Sequence, residues 1–261
     1  PHRPSAISQI TEGFRFVVRT PPIRALLLML GLASLVGMPY TVLMPIFAEE
    51  ILHSGARGLG LLMGAAGVGA LLGALTLAGK RDVKGLGRWV AFAAMGFGAA
   101  LITFTFSRHF LLSMLLLVPV GFAMMLQMAS SNTLIQTMVP DQLRGRVMSV
   151  YSMMFMGMAP FGALLSGAIA HRIGAPHTVA MGGAIVLMGA LVFYSQIPKL
   201  RVHARRLIVA QEAAAAAPPT EATGGAVTVE EMEEESRKQK AGSSEPLEGS
   251  GFRGQGSGTV G

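Results

Sequence analysis

The 261 residues include no cysteine, which excludes disulfides and thiolate metal sites and leaves the redox compartment unreadable. Charge is also scarce: Asp, Glu, Lys and Arg make up only 13% of the chain, against 51% hydrophobic residues and a mean hydropathy of +0.53. Such a balance excludes an ordinary soluble domain and describes a membrane protein. No nucleophile or phosphate-loop constellation appears, and no metal or cofactor is called for. The Gly-rich stretch "GLGLLMGAAGVGALLGALTLAG" is not a phosphate cradle, because no Gly-Lys-Ser/Thr string follows a strand. The net charge of +7 does not point to nucleic acid either, since the basic residues punctuate apolar runs instead of gathering on one face.

What is present is length of apolar run. Six segments free of Asp, Glu, Lys and Arg, at 25 to 48, 58 to 79, 89 to 107, 110 to 138, 147 to 170 and 176 to 198, suffice to cross about 30 Å of hydrocarbon as helix. Helix is the expected form, because backbone groups in lipid must be satisfied within the segment. The expected organisation is a cytoplasmic linker and juxtamembrane segment at 1–24, a six-helix transmembrane bundle at 25–200, and a disordered cytoplasmic tail at 201–261, with the change of character near 205. The opening residues have no apolar core before their arginines, so no cleavable signal is read there. The lack of an initiator Met leads us to expect a longer parent chain.

Orientation is read from Lys and Arg near the span ends. One set of flanks holds Arg3, Arg15, Arg19, Arg24, Lys80, Arg81, Lys84, Arg88, Arg144, Arg146, Lys199, Arg201, Arg205 and Arg206, whereas the other holds Arg57, Arg108 and Arg172. Both termini and the loops at 80–88 and 139–146 are therefore expected in the cytoplasm of a multi-pass cell-membrane protein. His53, His109, His171 and His177 fall at the opposite ends and read as boundary residues.

The stretch "PDQLRGRVMSVYSM" at 140–153 places three charges between long apolar runs. Pro140 stops one helix, Asp141 can accept hydrogen bonds at the start of the next, and Gly145 permits close approach. Arg144 and Arg146 offer planar, multiply donating heads that could pair with carboxylates or helix C-termini and close a cytoplasmic gate. Topology alone would also account for two arginines in such a loop.

"VPDQLRGRVMSVYSM", after "SSNTLIQTMVP" and before "APFGALLSGAIAHRIG", resembles the loop between the tenth and eleventh helices of major facilitator superfamily transporters. It is most similar to the branch containing the enterobactin exporter and macrolide efflux proteins, over about residues 5 to 200. The resemblance implies an all-α membrane protein whose six transmembrane helices form the C-terminal half of a major facilitator fold, with a missing N-terminal six-helix half. It also implies efflux of a small amphipathic molecule such as a drug or siderophore by alternating access, no enzymatic activity, and the proton as a possible coupling ion. The family's second cytoplasmic signature should recur after the second span, where "GKRDVKGLGR" stands: Asp82 is three residues from Gly79 instead of four, and Val83 replaces the expected Arg. Arg81, Asp82 and Arg88 are the gating candidates of that loop. A lipid-handling or scaffold protein without coupled transport is the alternative reading.

No charged residue lies well inside a span, so polar uncharged groups are the substrate-path candidates. They are Tyr40 and Thr41 between Pro39 and Pro45, and Gln127, Ser131, Asn132 and Gln136, with Ser130 on the Gln127 and Ser131 face. Helix-to-helix hydrogen bonding is the competing use of such groups. Met residues, 18 in all, cluster at 124–128 and 153–158 and would suit a pocket for varied apolar ligands. Gly60, Gly64, Gly69 and Gly73 on the second span, and Gly157, Gly162 and Gly167 on the fifth, are expected to let helices pack closely.

Overall fold

A computed structural model describes residues 6–80 and 85–216. Among them every regular element is a helix, and six helices are long and apolar enough to cross a membrane: Pro21–Ile51, Gly55–Ala78, Leu86–Thr105, Phe110–Met138, Asp141–Ile173 and Ala175–Leu200. An additional helix, Ala6–Arg19, precedes the first span; we call it the leading helix.

Local chemistry sets the boundaries. Thr20 is extended and Pro21 and Pro22 occupy the first helical positions, where a missing N–H costs nothing. Gly85 adopts φ +84° to open the third span, and Gly174 adopts φ +85° to end the fifth. Val139, which precedes Pro140, is extended and ends the fourth span.

Three boundaries differ from the sequence reading. The segment expected as a linker at 1–24 contains the leading helix, and the first span starts at Pro21. What reads as a loop at 141–146 is the first two turns of the fifth helix: Pro140 stands just before it, no proline follows within those turns, and a single Gly145 costs only about 1 kcal/mol relative to Ala. The sixth helix does not stop at 200. It continues to Ala216 through an Ala-rich stretch with strong helix propensity, so helix replaces the disorder expected for 201–216. The rest of that tail, 217–261, lies outside the described residues.

The first span is the most enclosed, with Tyr40 edge-on to Phe97 (6.4 Å between centroids) and Phe47 tilted against Phe104 (4.8 Å). Gly69 and Gly73 of the second span abut the fourth-span backbone at Val118 and Phe122. Gly60 and Gly64 point the other way and meet nothing within 4 Å, since five residues, not four, separate Gly64 from Gly69 and turn the helix to its opposite side. Only half of the expected glycine seam is thus used inside this bundle.

Candidate functional site: a braced basic end, a paired hinge and a buried polar stripe

At the basic end of the bundle the leading helix lies across the start of the fifth span. Arg146 donates to the Glu12 carboxylate, an ion pair between residues far apart in sequence. Beneath it Gly13 fits the Arg146 main chain so tightly that a Cβ would stand 2.8 Å from the Arg146 carbonyl oxygen. Close approach comes from Gly13 and not, as expected, from Gly145, which meets nothing within 4 Å among the described residues. Arg144 pairs with Asp141 one turn back at 2.6 Å, both largely exposed, a geometry that contributes little more than about 0.5 kcal/mol. Asp141 makes no capping hydrogen bond, because Pro140 occupies the cap position; its charge still favours the helix N-terminus. Arg88 is exposed on the first turn of the third span, and Lys80 places its ammonium 3.7 Å from the Trp89 ring centroid. Arg81 and Asp82 lie outside the described residues.

Deeper in the bundle the first and fifth spans widen at matching places. Ala33–Gly37 and Met153–Gly157 are π-helical turns, each shortly before a proline, Pro39 and Pro160. Proline removes an N–H and crowds the preceding turn, so the ladder loosens on its N-terminal side. The two loosened turns meet: the Ser34 hydroxyl donates to the Phe155 carbonyl at 2.5 Å. Leu35, whose carbonyl would have bonded residue 39 were it not proline, is abutted by Gly162, where a Cβ would stand 3.0 Å from both the Leu35 carbonyl carbon and Pro39 Cγ. Tyr40 is buried beside this hinge, and the Thr41 hydroxyl donates to the Met38 carbonyl at 3.0 Å. Sequence reasoning singled out Tyr40 and Thr41 between Pro39 and Pro45 but missed Ser34, Phe155 and the pairing of the turns. The available signal was a proline five residues after each of the two contacting positions, Pro39 after Ser34 and Pro160 after Phe155.

The fourth span carries the polar stripe. Gln127, Ser130 and Ser131 are buried, and Gln127 Nε2, Ser130 Oγ and Ser131 Oγ have no hydrogen-bond partner among the described residues. Ala123 and Leu134, on the same stripe as Gln127 and Ser130, face Gly96 and Gly87 of the third span. The stripe therefore looks into the bundle, away from the second span. Asn132 and Gln136 are half-buried and occupied with each other, Gln136 Nε2 donating to Asn132 Oδ1 at 2.7 Å. Tyr151 donates to the Met128 carbonyl at 3.2 Å and ties the fifth span to the fourth. Of the methionine cluster, Met153 and Met156 are exposed on the fifth span. The structure thus separates the named polar residues into a buried group, Tyr40, Gln127 and Ser131, and a half-buried group, Thr41, Asn132 and Gln136.

Six long apolar helices with uncharged interiors, two of them loosened just before a proline, describe a multi-pass membrane protein. The chain belongs to the transmembrane secretion effector family of the major facilitator superfamily, whose model matches residues 3–233. It is similar to the uncharacterized MFS-type transporter YfmI of Bacillus subtilis (strain 168), 25% identical over 191 residues, 72% of this chain and 47% of that protein. It is also similar to the multidrug efflux pump Tap of Mycolicibacterium fortuitum, 29% identical over 199 residues, 76% of this chain and 48% of that protein. The chain spans about half the length of the curated relatives it matches. No solved structure matches it significantly.

Proposed function

We propose that these six spans are the C-terminal half of a secondary exporter that moves a small amphipathic molecule, such as a drug or siderophore, out of the cell by alternating access. The basic end faces the cytoplasm, as the positive-inside bias requires. One observation carries the reading: the second and fifth spans present whole faces with no partner in the bundle, only 28% and 11% of their most apolar stretches being buried. On the second span Gly60, Gly64 and Gly67 meet nothing within 4 Å and stand among exposed Leu71 and Leu75. Small residues at four-residue spacing admit another helix to close contact, which a lipid tail does not need. A second six-helix half, the length this chain lacks relative to its relatives, fills that face.

Alternating access then asks the two halves to rock, with the Ser34–Phe155 hinge letting the first and fifth spans bend together. Arg144 and Arg146 hold the cytoplasmic side closed against the other half. If protons drive export, the titrating carboxylate sits in that other half, since no described residue here puts a charge at mid-span. The similarity to a multidrug efflux pump supports an apolar, loosely specified cargo.

The test is uptake of a fluorescent amphipathic cation into inverted vesicles carrying the protein with both halves. Energised uptake, reduced at least about tenfold by changing Arg144 and Arg146 together to Ala at equal protein level, is the expected result. No energised uptake for any amphipathic cargo would favour a lipid-handling or scaffold role instead.

A further inference from the structure

The leading helix is too short and too charged to be a span, yet it exposes large apolar side chains. Phe14 is 47% exposed and Val18 45%, one helical turn apart. With Gly13 set against the fifth span, a rotation of about 100° per residue puts Phe14 and Val18 about 100–140° away from that contact, and Arg15 and Arg19 about 200–240° away. An apolar stripe therefore runs beside a basic one on the side turned away from the bundle. Glu12, the sole acidic side chain of the helix Ala6–Arg19, is committed to Arg146, so the outward charge is that of Arg15 and Arg19. Arg24 reaches back to donate to the Val18 carbonyl at 3.3 Å and satisfies one of the carbonyls at the helix end.

We propose that the leading helix docks on the anionic leaflet of the bilayer. Phe14 and Val18 enter the acyl boundary, Arg15 and Arg19 contact lipid phosphates, and the docked helix fixes the first turn of the fifth span through Glu12, Gly13 and Arg146. Charge complementarity selects this occupant: a helix with an apolar face and arginines beside it matches a phosphate-bearing interface, whereas a purely apolar partner helix would leave both guanidinium groups without counter-charge. The helix joins directly to Pro21, so it is held where the first span enters the membrane. The effect on transport rests on the exporter reading; the docking does not.

The experiment places a spin label or a quenchable fluorophore at Phe14→Cys or Val18→Cys in the full-length protein, in vesicles of neutral phosphatidylcholine with and without one third phosphatidylglycerol. The expected result is a label about 5–10 Å below the headgroups, quenched by brominated acyl chains and more strongly so with the anionic lipid. Arg15→Gln with Arg19→Gln should abolish the difference between the two lipid compositions, and Arg15→Lys with Arg19→Lys should retain it. Equal water exposure of the label in both lipids overturns the proposal. So does a label that is protected from water but untouched by lipid quenchers, which would mean the other half covers the helix. None of these readings depends on transport, so loss of the exporter reading and loss of the docking reading are distinguishable.

Discussion

Gly162→Ala is the sharpest perturbation of the hinge. The added methyl would stand 3.0 Å from the Leu35 carbonyl carbon and 3.0 Å from Pro39 Cγ, closer still to the carbonyl oxygen. Carbon atoms rest at about 3.5–4.0 Å, so the first and fifth spans must part by roughly 0.5–1 Å. Neither contact is a flexible chain end, and neither can rotate away. Overpacking of this kind costs about 1–3 kcal/mol. Parting the spans also stretches the Ser34–Phe155 hydrogen bond, worth about 0.6–1.7 kcal/mol within a membrane. Against this, Ala is better than Gly within a helix by about 1 kcal/mol. The net expectation is a loss of about 1–3 kcal/mol. Gly167, on the same helix, meets nothing within 4 Å, so Gly167→Ala keeps the propensity gain and nothing else. Equilibrium unfolding of the full-length protein in mixed micelles, run on both variants, gives the comparison. If Gly162→Ala proves as stable as Gly167→Ala, the close contact of the two spans is wrong, and with it the hinge.

Two further outcomes follow from other parts of the site. A double-mutant cycle on Glu12→Gln and Arg146→Gln should return a coupling of about 0.3–1 kcal/mol, since both partners are partly exposed, and exchanging the two charges should restore part of it; zero coupling at low salt would show that the brace is packing at Gly13 alone. Gln127→Met removes a buried amide nitrogen that has no partner among the described residues and should raise stability by about 1–3 kcal/mol in the same unfolding measurement; a loss instead would mean that the amide is satisfied.

Much of the fold was legible because hydrocarbon imposes one solution: long uncharged runs became spans, at places set by charge and by proline. The ends were less legible. Asp141, Arg144 and Arg146 look like a loop when charge is the guide, but nothing in "DQLRGR" stops a helix, and water at the membrane surface tolerates charged helical turns. The leading helix was missed for a related reason, since Arg15 and Arg19 interrupt its apolar residues and leave no run longer than Phe16, Val17 and Val18. The polar stripe was found from spacing: Gln127, Ser130 and Ser131 do share a face. What spacing does not contain is which neighbour that face meets, because this depends on how Gly69, Gly73 and Gly96 seat the fourth span between its partners. The hinge needed the pairing of two spans more than a hundred residues apart, and no local pattern carries that.

The central claim is a bundle with its basic end in the cytoplasm and its opposite end outside. Single cysteines at Arg57 and Arg144 in an otherwise cysteine-free full-length protein, exposed to a membrane-impermeant maleimide on intact cells, test it most directly. Arg57→Cys should be labelled at once and Arg144→Cys only after the cells are permeabilised. Prompt labelling at 144 with protection at 57 would contradict the account.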